Sequence, residues 1–411
     1  MNERSILELI RRHGPMSRAQ VARESGLSKP TVSLALAGLL DVGLVRDVGR
    51  SSGGKGPGAL LYELNPAAGR VVGIDVGRLW VRAAIADIAG NVVARRDVRT
   101  KARSARSIIV QIGELAHGLA GEAGLRWDQV THATVGSPGV VDPDRGGVAM
   151  APNLPGWGRQ GMVEAVREEL GTGVSFENDV NLAAIAEQAH GLGRGVENFV
   201  FLSVGTGIGM GLVLNGQLHR GSHGAAGEVA YVPVGAIDPH DRSIRRHGAL
   251  EEAAAAAGIV RTARDLGMRP PLTPKKVFAA AGRGDPVARR VVAAEVGRIA
   301  LAVATVSSVV DPELVILGGG IGRNAALLLE PVERELRAIS PFRPRIAVTD
   351  LGEDAVLLGA VATALEAGRR EVFARPGGVD RTEPAIATVG RAAERGTGRA
   401  TASALAGNAG T

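Results

Sequence analysis

The sequence predicts an α/β protein with a winged helix-turn-helix at its N-terminus, and three observations predict it. Short helical patterns separated by turn signals fill residues 3–40. Two strand-like segments flank a basic, glycine-rich tip between residues 44 and 64. From Val71 onward, short apolar strands alternate with helical stretches, which is the signature of an α/β domain. At 411 residues the chain exceeds what one core usually serves. The expected domains are a helix-turn-helix module over residues 1–66, an α/β domain over 67–370, and a disordered tail over 371–411, where Gly, Ala, Thr and Arg follow one another without apolar periodicity.

In the first segment Ile6, Leu7, Leu9 and Ile10 form a helical apolar stripe that stops at His13-Gly14-Pro15. Ser17-Arg18-Ala19-Gln20 has the form of a capping box, so a second helix starts there and ends near Gly26. Ser28 caps a third helix, with Pro30 in its first turn, where a missing N–H costs nothing. Val32, Leu36, Leu39 and Leu40 give that helix a buried side, leaving Lys29, Thr31 and Ser33 with Ser28 to face the bases of a major groove. Leu44-Val45-Arg46 and Leu60–Leu64 are the expected wing strands; Arg46, Arg50 and Lys55 around the tip are the expected phosphate contacts. A small helical domain followed by a glycine linker is the plainer alternative.

Composition narrows the function classes. The chain has no cysteine, which excludes disulfides, thiolate catalysis and thiolate metal sites. Hydrophobic residues are 45% and charged residues 22%, and no run of about 18 uncharged apolar residues suggests a membrane span. The N-terminus has no basic-then-apolar leader, so a cytoplasmic protein without a membrane partner is expected. A net charge of +6 agrees with nucleic-acid binding but is carried mostly by Arg, which biased base composition also produces. Aromatic residues are only 3%, which argues against single-stranded nucleic acid held by base stacking.

Three glycine-rich loops follow apolar strands. They are Asp75-Val76-Gly77, the run Gly205-Thr206-Gly207 to Gly211, and Gly318-Gly319-Gly320. Each offers backbone amides with little side chain in the way, although each taken singly is also an ordinary turn. Between the first two, Glu177-Asn178-Asp179-Val180-Asn181 sets an amide beside a carboxylate where a strand meets a helix. That pair can grip a hydroxyl and take its proton; it can equally cap the helix.

Taken together, Gly73 to Gly77, Ser137-Pro138-Gly139-Val140-Val141-Asp142, Asn153 to Trp157, Glu177 to Asp179, and Val204 to Gly216 with Arg220-Gly221 resemble the ROK family of repressors and sugar kinases. The resemblance spans roughly residues 3–365 and implies an actin-like, hexokinase-like fold of two α/β lobes. The N-terminal module is the mark of the repressor branch. By similarity Asn153, Asn178, Asp179, Glu228 and Glu251 would bind sugar hydroxyls, and Asp179 would be the general base of a working kinase. Asp75, Gly77, Gly205, Thr206, Gly207 and Gly319 would form the nucleotide loops.

The chain departs from that pattern twice. The positions of the family's zinc ligands fall on Tyr231, Arg242, Ile244 and Ala249, so no structural zinc is expected; His240 and His247 lie nearby as surface residues. The kinase loop reads Asp75-Val76-Gly77-Arg78-Leu79, where Arg78 crowds a phosphate and Leu79 lacks the family's hydroxyl, so ATP, magnesium and phosphoryl transfer are not expected. The expectation is a transcriptional regulator, a repressor, that binds double-stranded operator DNA as a homodimer or homotetramer and answers to a sugar held between its lobes. A sugar kinase carrying a DNA-binding arm is the alternative.

Overall fold

A computed structural model describes residues 2–51, 58–101, 103–142, 147–149, 151, 154–235, 238 and 240–374. The N-terminal module comprises α1 (Asn2–His13), β1 (Met16–Ser17), α2 (Arg18–Ser25), α3 (Lys29–Asp41), β2 (Val45–Arg50) and β3 (Leu60–Leu64). The expected capping box is present: the Ser17 hydroxyl accepts from the Gln20 amide at 3.3 Å, and the Gln20 side chain accepts from the Ser17 amide at 2.8 Å. Gly26 ends α2 in the left-handed region at φ 71°, which turns the chain into the Ser28 cap of α3. β3 pairs antiparallel with both β1 and β2, so the wing is part of one small sheet.

The rest of the chain is built as two lobes of the same design. Lobe one contains β4 (Arg70–Val76), β5 (Trp80–Asp87), β6 (Val92–Arg99), α4 (Ala105–Glu122), β7 (Val130–Ser137), the short β8 (Val140–Val141) and β9 (Val148–Ala149), α5 (Met162–Leu170) and β10 (Gly173–Asn178). After α6 (Asp179–His190), lobe two has β11 (Phe199–Val204), β12 (Ile208–Leu214), β13 (Gln217–His219), α7 (Arg242–His247), α8 (Ala249–Ala254), α9 (Ala256–Asp265), α10 (Pro274–Gly282), α11 (Pro286–Val310), β14 (Leu314–Gly318), α12 (Gly319–Gly322), α13 (Ala325–Ile339) and β15 (Arg345–Val348). The sheet orders are β10-β7-β4-β5-β6 and β13-β12-β11-β14-β15. In each, an antiparallel three-strand meander supplies one side, and two further strands run parallel to its first strand on the other. This repeated topology is the two-lobed architecture the resemblance implied.

Two helices cross between the lobes. α6 leaves lobe one and leads into lobe two; α14 (Ala355–Ala374) follows β15 and returns across β4 and β7. They touch closely because a side chain is missing where they meet: a Cβ on Gly359 would fall 1.9 Å from the Leu182 carbonyl oxygen. On β4, a Cβ on Gly73 would fall 2.6 Å from a Val361 methyl. α14 runs to Ala374, past the boundary expected at residue 370, because its apolar face continues to Val372, which is buried in the core of the N-terminal module with Ile6, Ile10, Leu36 and Ile88. The N-terminal module, lobe one and the end of α14 therefore share one apolar cluster. Residues 375–411, expected to be a tail, lie outside the described residues.

α11 is the one described helix long and apolar enough to cross a membrane. Its Val291, Ile299, Ala300 and Val303 are wholly buried in the core of lobe two, which accounts for that composition.

Candidate functional site

The first candidate surface is the start of α3. Lys29 is exposed there and Ser33 half-buried. The Ser28 hydroxyl accepts from the Thr31 amide at 3.3 Å and lies 2.8 Å from the Thr31 hydroxyl, so these two side chains hold the helix start as well as facing outward. Leu34, which the sequence pattern did not single out, stands 78% exposed one turn along from Lys29 and Pro30. An outward Leu on a helix whose buried side already holds Val32, Leu36 and Leu39 is the signal that could have found it. On the wing, Arg46 donates from Nε to Glu63 at 2.7 Å and Arg50 donates from Nη1 to the Gly58 carbonyl at 2.9 Å. Both guanidinium groups are thus pre-set on the hairpin with donors to spare. Lys55 lies outside the described residues.

The second is a cleft of about 720 Å³ between the lobes, lined by both crossing helices. It gathers Asp75, Gly77, Asn178, Asp179, Gly205, Thr206, Gly207, Glu228, Glu251 and Gly319, so the sugar and nucleotide residues expected from sequence converge on one cavity. Asn153 lies outside the described residues.

Asn178 is the N-cap of α6. Its Oδ1 accepts from the Val180 and Asn181 amides at 2.9 and 3.1 Å, and its Nδ2 donates to the Gly139 carbonyl at 3.0 Å. The capping role is real, and it leaves one amide hydrogen for a ligand. Asp179, at the first turn of α6, is half-buried; burial, then the neighbouring Asp75 and Glu228, push its carboxyl up to about 7, against the pull of the Val180 amide. Burial and mutual repulsion also raise Glu228, and burial raises Glu251. All three carboxyl groups line the cleft, within reach of a polyhydroxylated ligand.

The glycine run differs in role from the expected open amide loop. Only Gly205-Thr206-Gly207 forms the turn between β11 and β12; Gly209 and Gly211 lie within β12, beneath α6. A Cβ on Gly211 would fall 2.7 Å from that of Ala184. The Ile208 amide donates to Glu251 at 3.0 Å, so the hairpin positions a carboxylate of the cleft. Likewise Gly318 makes room for the Phe201 ring and Gly319, at φ +77°, for the Val204 backbone, while Gly320 faces open space. Beside Glu251, Glu252 accepts from Ser243 at 2.5 Å, pairs with Arg261 at 3.3 Å, and lies 3.0 Å from His247 Nδ1. That cluster ties α7 to α8 and α9 in the segment where the family's zinc ligands would fall. His247 is thus a half-buried partner rather than the free surface residue expected, whereas His240 is exposed.

Two cations have partners that the sequence reading did not assign. Arg220 donates to the buried Glu177 at 2.7 Å, tying the segment after β13 to the end of β10. Arg82 faces Asp75 directly across β4 and β5 and donates to it at 2.9 Å. The cross-strand register around the Gly77 turn was the signal for that pair.

Comparison with known proteins agrees with this geometry. Residues 71–367 match the ROK family. The chain belongs to the ROK family. Residues 5–49 match the IclR helix-turn-helix domain. Among ROK relatives, the xylose repressor of Caldicellulosiruptor bescii is 25% identical over 89% of this chain and 95% of its own length. The glucokinase of Halalkalibacterium halodurans is 29% identical over 70% of this chain and 92% of its own. The crystal structure of a ROK family transcriptional regulator, described as a homologue of the Escherichia coli MLC protein, superposes with a TM-score of 0.76 at 23% identity, covering 90% of this chain and 98% of that one, and shares its fold.

Proposed function

We propose that this ROK protein is a transcriptional regulator, a repressor, that binds operator DNA through α3 and the wing and changes that affinity when a sugar or sugar derivative fills the cleft. One observation carries the reading: α14 joins the two sites. Its first residues, Ala355 and Val356, line the cleft, and Val372 near its other end is packed into the core that supports α3. Arg369, on the last part of that helix, donates twice to the Ile88 carbonyl, at 3.1 and 2.9 Å, fixing it to lobe one beside the module. Burial, then Arg11 of α1, push Arg369 down to about 10, so charge as well as packing registers where the module sits.

The energetic demand is modest. A sugar that binds one lobe arrangement about tenfold better than the other shifts the balance by roughly 1.4 kcal/mol, and two chains double it. Two-fold symmetry of such DNA readers makes a homodimer, or a tetramer of two dimers, the working unit. The sugar would sit against Asn178, Asp179, Glu228 and Glu251, with Asn153 as a further contact.

Genomic footprinting with the purified protein tests this, followed by a panel of hexoses, pentoses and amino sugars scored for release of the bound fragments. Discrete fragments released by one class of sugar are expected. No preference for any duplex, together with rapid ADP release in a coupled hexose assay, would replace this reading with a kinase.

A further inference from the structure

Asp75 is a carboxylate that burial pushes upward and Arg82 pulls down. A buried carboxylate facing a cleft needs a cation or a proton. Here the cation is covalently attached. Arg82 Nη1 lies 2.9 Å from Asp75, its Nε 3.5 Å from Asp97 of β6, and its Nη2 3.2 Å from Glu353 in the turn before α14. One guanidinium therefore serves three carboxylates and is itself only 14% exposed. Among the described residues no three acids or histidines are placed to hold a metal ion. Magnesium and a nucleotide do not fit this end of the cleft: the strand-end carboxylate is already neutralised, and Arg78 and Leu79 stand where the loop should admit phosphate.

We infer that Arg82 is a resident cation that neutralises Asp75, so that ligand binding in this cleft is independent of metal and nucleotide. The inference rests on the cleft being the ligand site, not on the DNA-binding role. Neutralisation is geometric. Asp75 and Arg82 are held opposite each other by β-sheet register, and the pair cannot dissociate as a bound ion does. Asp97 and Glu353 have further cations in Arg95 at 3.1 Å and Arg323 at 3.3 Å, so Asp75 is the carboxylate that depends on Arg82.

Mn²⁺ uptake by the full-length protein, followed by electron paramagnetic resonance, and ADP binding with magnesium, followed by calorimetry, test this. Wild type should take up neither. Sugar should raise the melting temperature of wild type equally with and without a chelator. The inference is overturned if wild type binds magnesium ADP or one Mn²⁺ per chain and loses it on Asp75→Asn, or if the chelator abolishes the effect of sugar. Operator binding by the same wild-type preparation is a separate readout, so loss of the regulator reading would not be confused with failure here.

Discussion

Asp179 stands half-buried at the cleft wall, and its proton has a measurable consequence. Its value in the folded chain is about 7, against 3.8 for an ordinary Asp, so the folded state holds the proton more tightly than the unfolded chain. Stability from that group is fully present below about pH 4 and is lost as pH rises towards 7, a difference of the order of a few kcal/mol. Asp179→Asn should flatten this slope, melting higher than wild type near pH 8 and little differently near pH 4; parallel melting curves would remove Asp179 as the cause. Leu34 carries a second prediction at this scale. Exposed beside Lys29, it can meet the methyl group of a thymine, an apolar contact that Ser33 cannot make. Leu34→Ala should weaken a selected operator by about 1 kcal/mol and relax preference at one base pair, read by competition among operator variants. A uniform loss at every sequence would instead mark Leu34 as packing against the DNA backbone.

The elements show where sequence reasoning succeeds and where it stops. α11, the β4 to β6 meander and the three N-terminal helices were legible because local signals agree: caps, Gly and Pro punctuation, and apolar periods. The clustering of Asp179, Glu228 and Glu251 was legible through the family pattern. Local signals could not show that Gly209 and Gly211 accommodate α6, that Arg82 belongs to Asp75, or that α14 ends inside another domain's core, since each depends on what a distant segment brings alongside. α14 is also the element most open to test. Arg369→Ala removes two donors from the Ile88 carbonyl without touching the cleft or α3. Sugar should still raise the melting temperature of this variant, and free protein should still bind operator, but the change in operator affinity caused by sugar should fall several-fold. A variant with the full wild-type response would show that the signal does not travel through the end of this helix.

At the level of the whole molecule, two lobes of one topology meet around a cleft, and two crossing helices carry any change in their angle. The described residues of one N-terminal module offer DNA the start of α3 and, on the wing, Arg46 and Arg50. In the homodimer proposed above, two modules would sit at a fixed spacing, about one helical turn or a multiple between half-site centres. Sugar then acts on the product of the two modules' affinities. A tenfold bias in each chain becomes roughly a hundredfold at a two-half-site operator and about tenfold at a half-site. Salt separates the contributions further, because every phosphate that a variant leaves unneutralised lowers the slope of log affinity against log salt by about 1. Arg50→Ala, which frees one phosphate per chain, should therefore lower the slope by about 2 on a full operator and about 1 on a half-site, while leaving the ranking of operator sequences unchanged. An unchanged slope on both would take the wing off the DNA; an equal change on both would mean that only one module of the assembly is engaged.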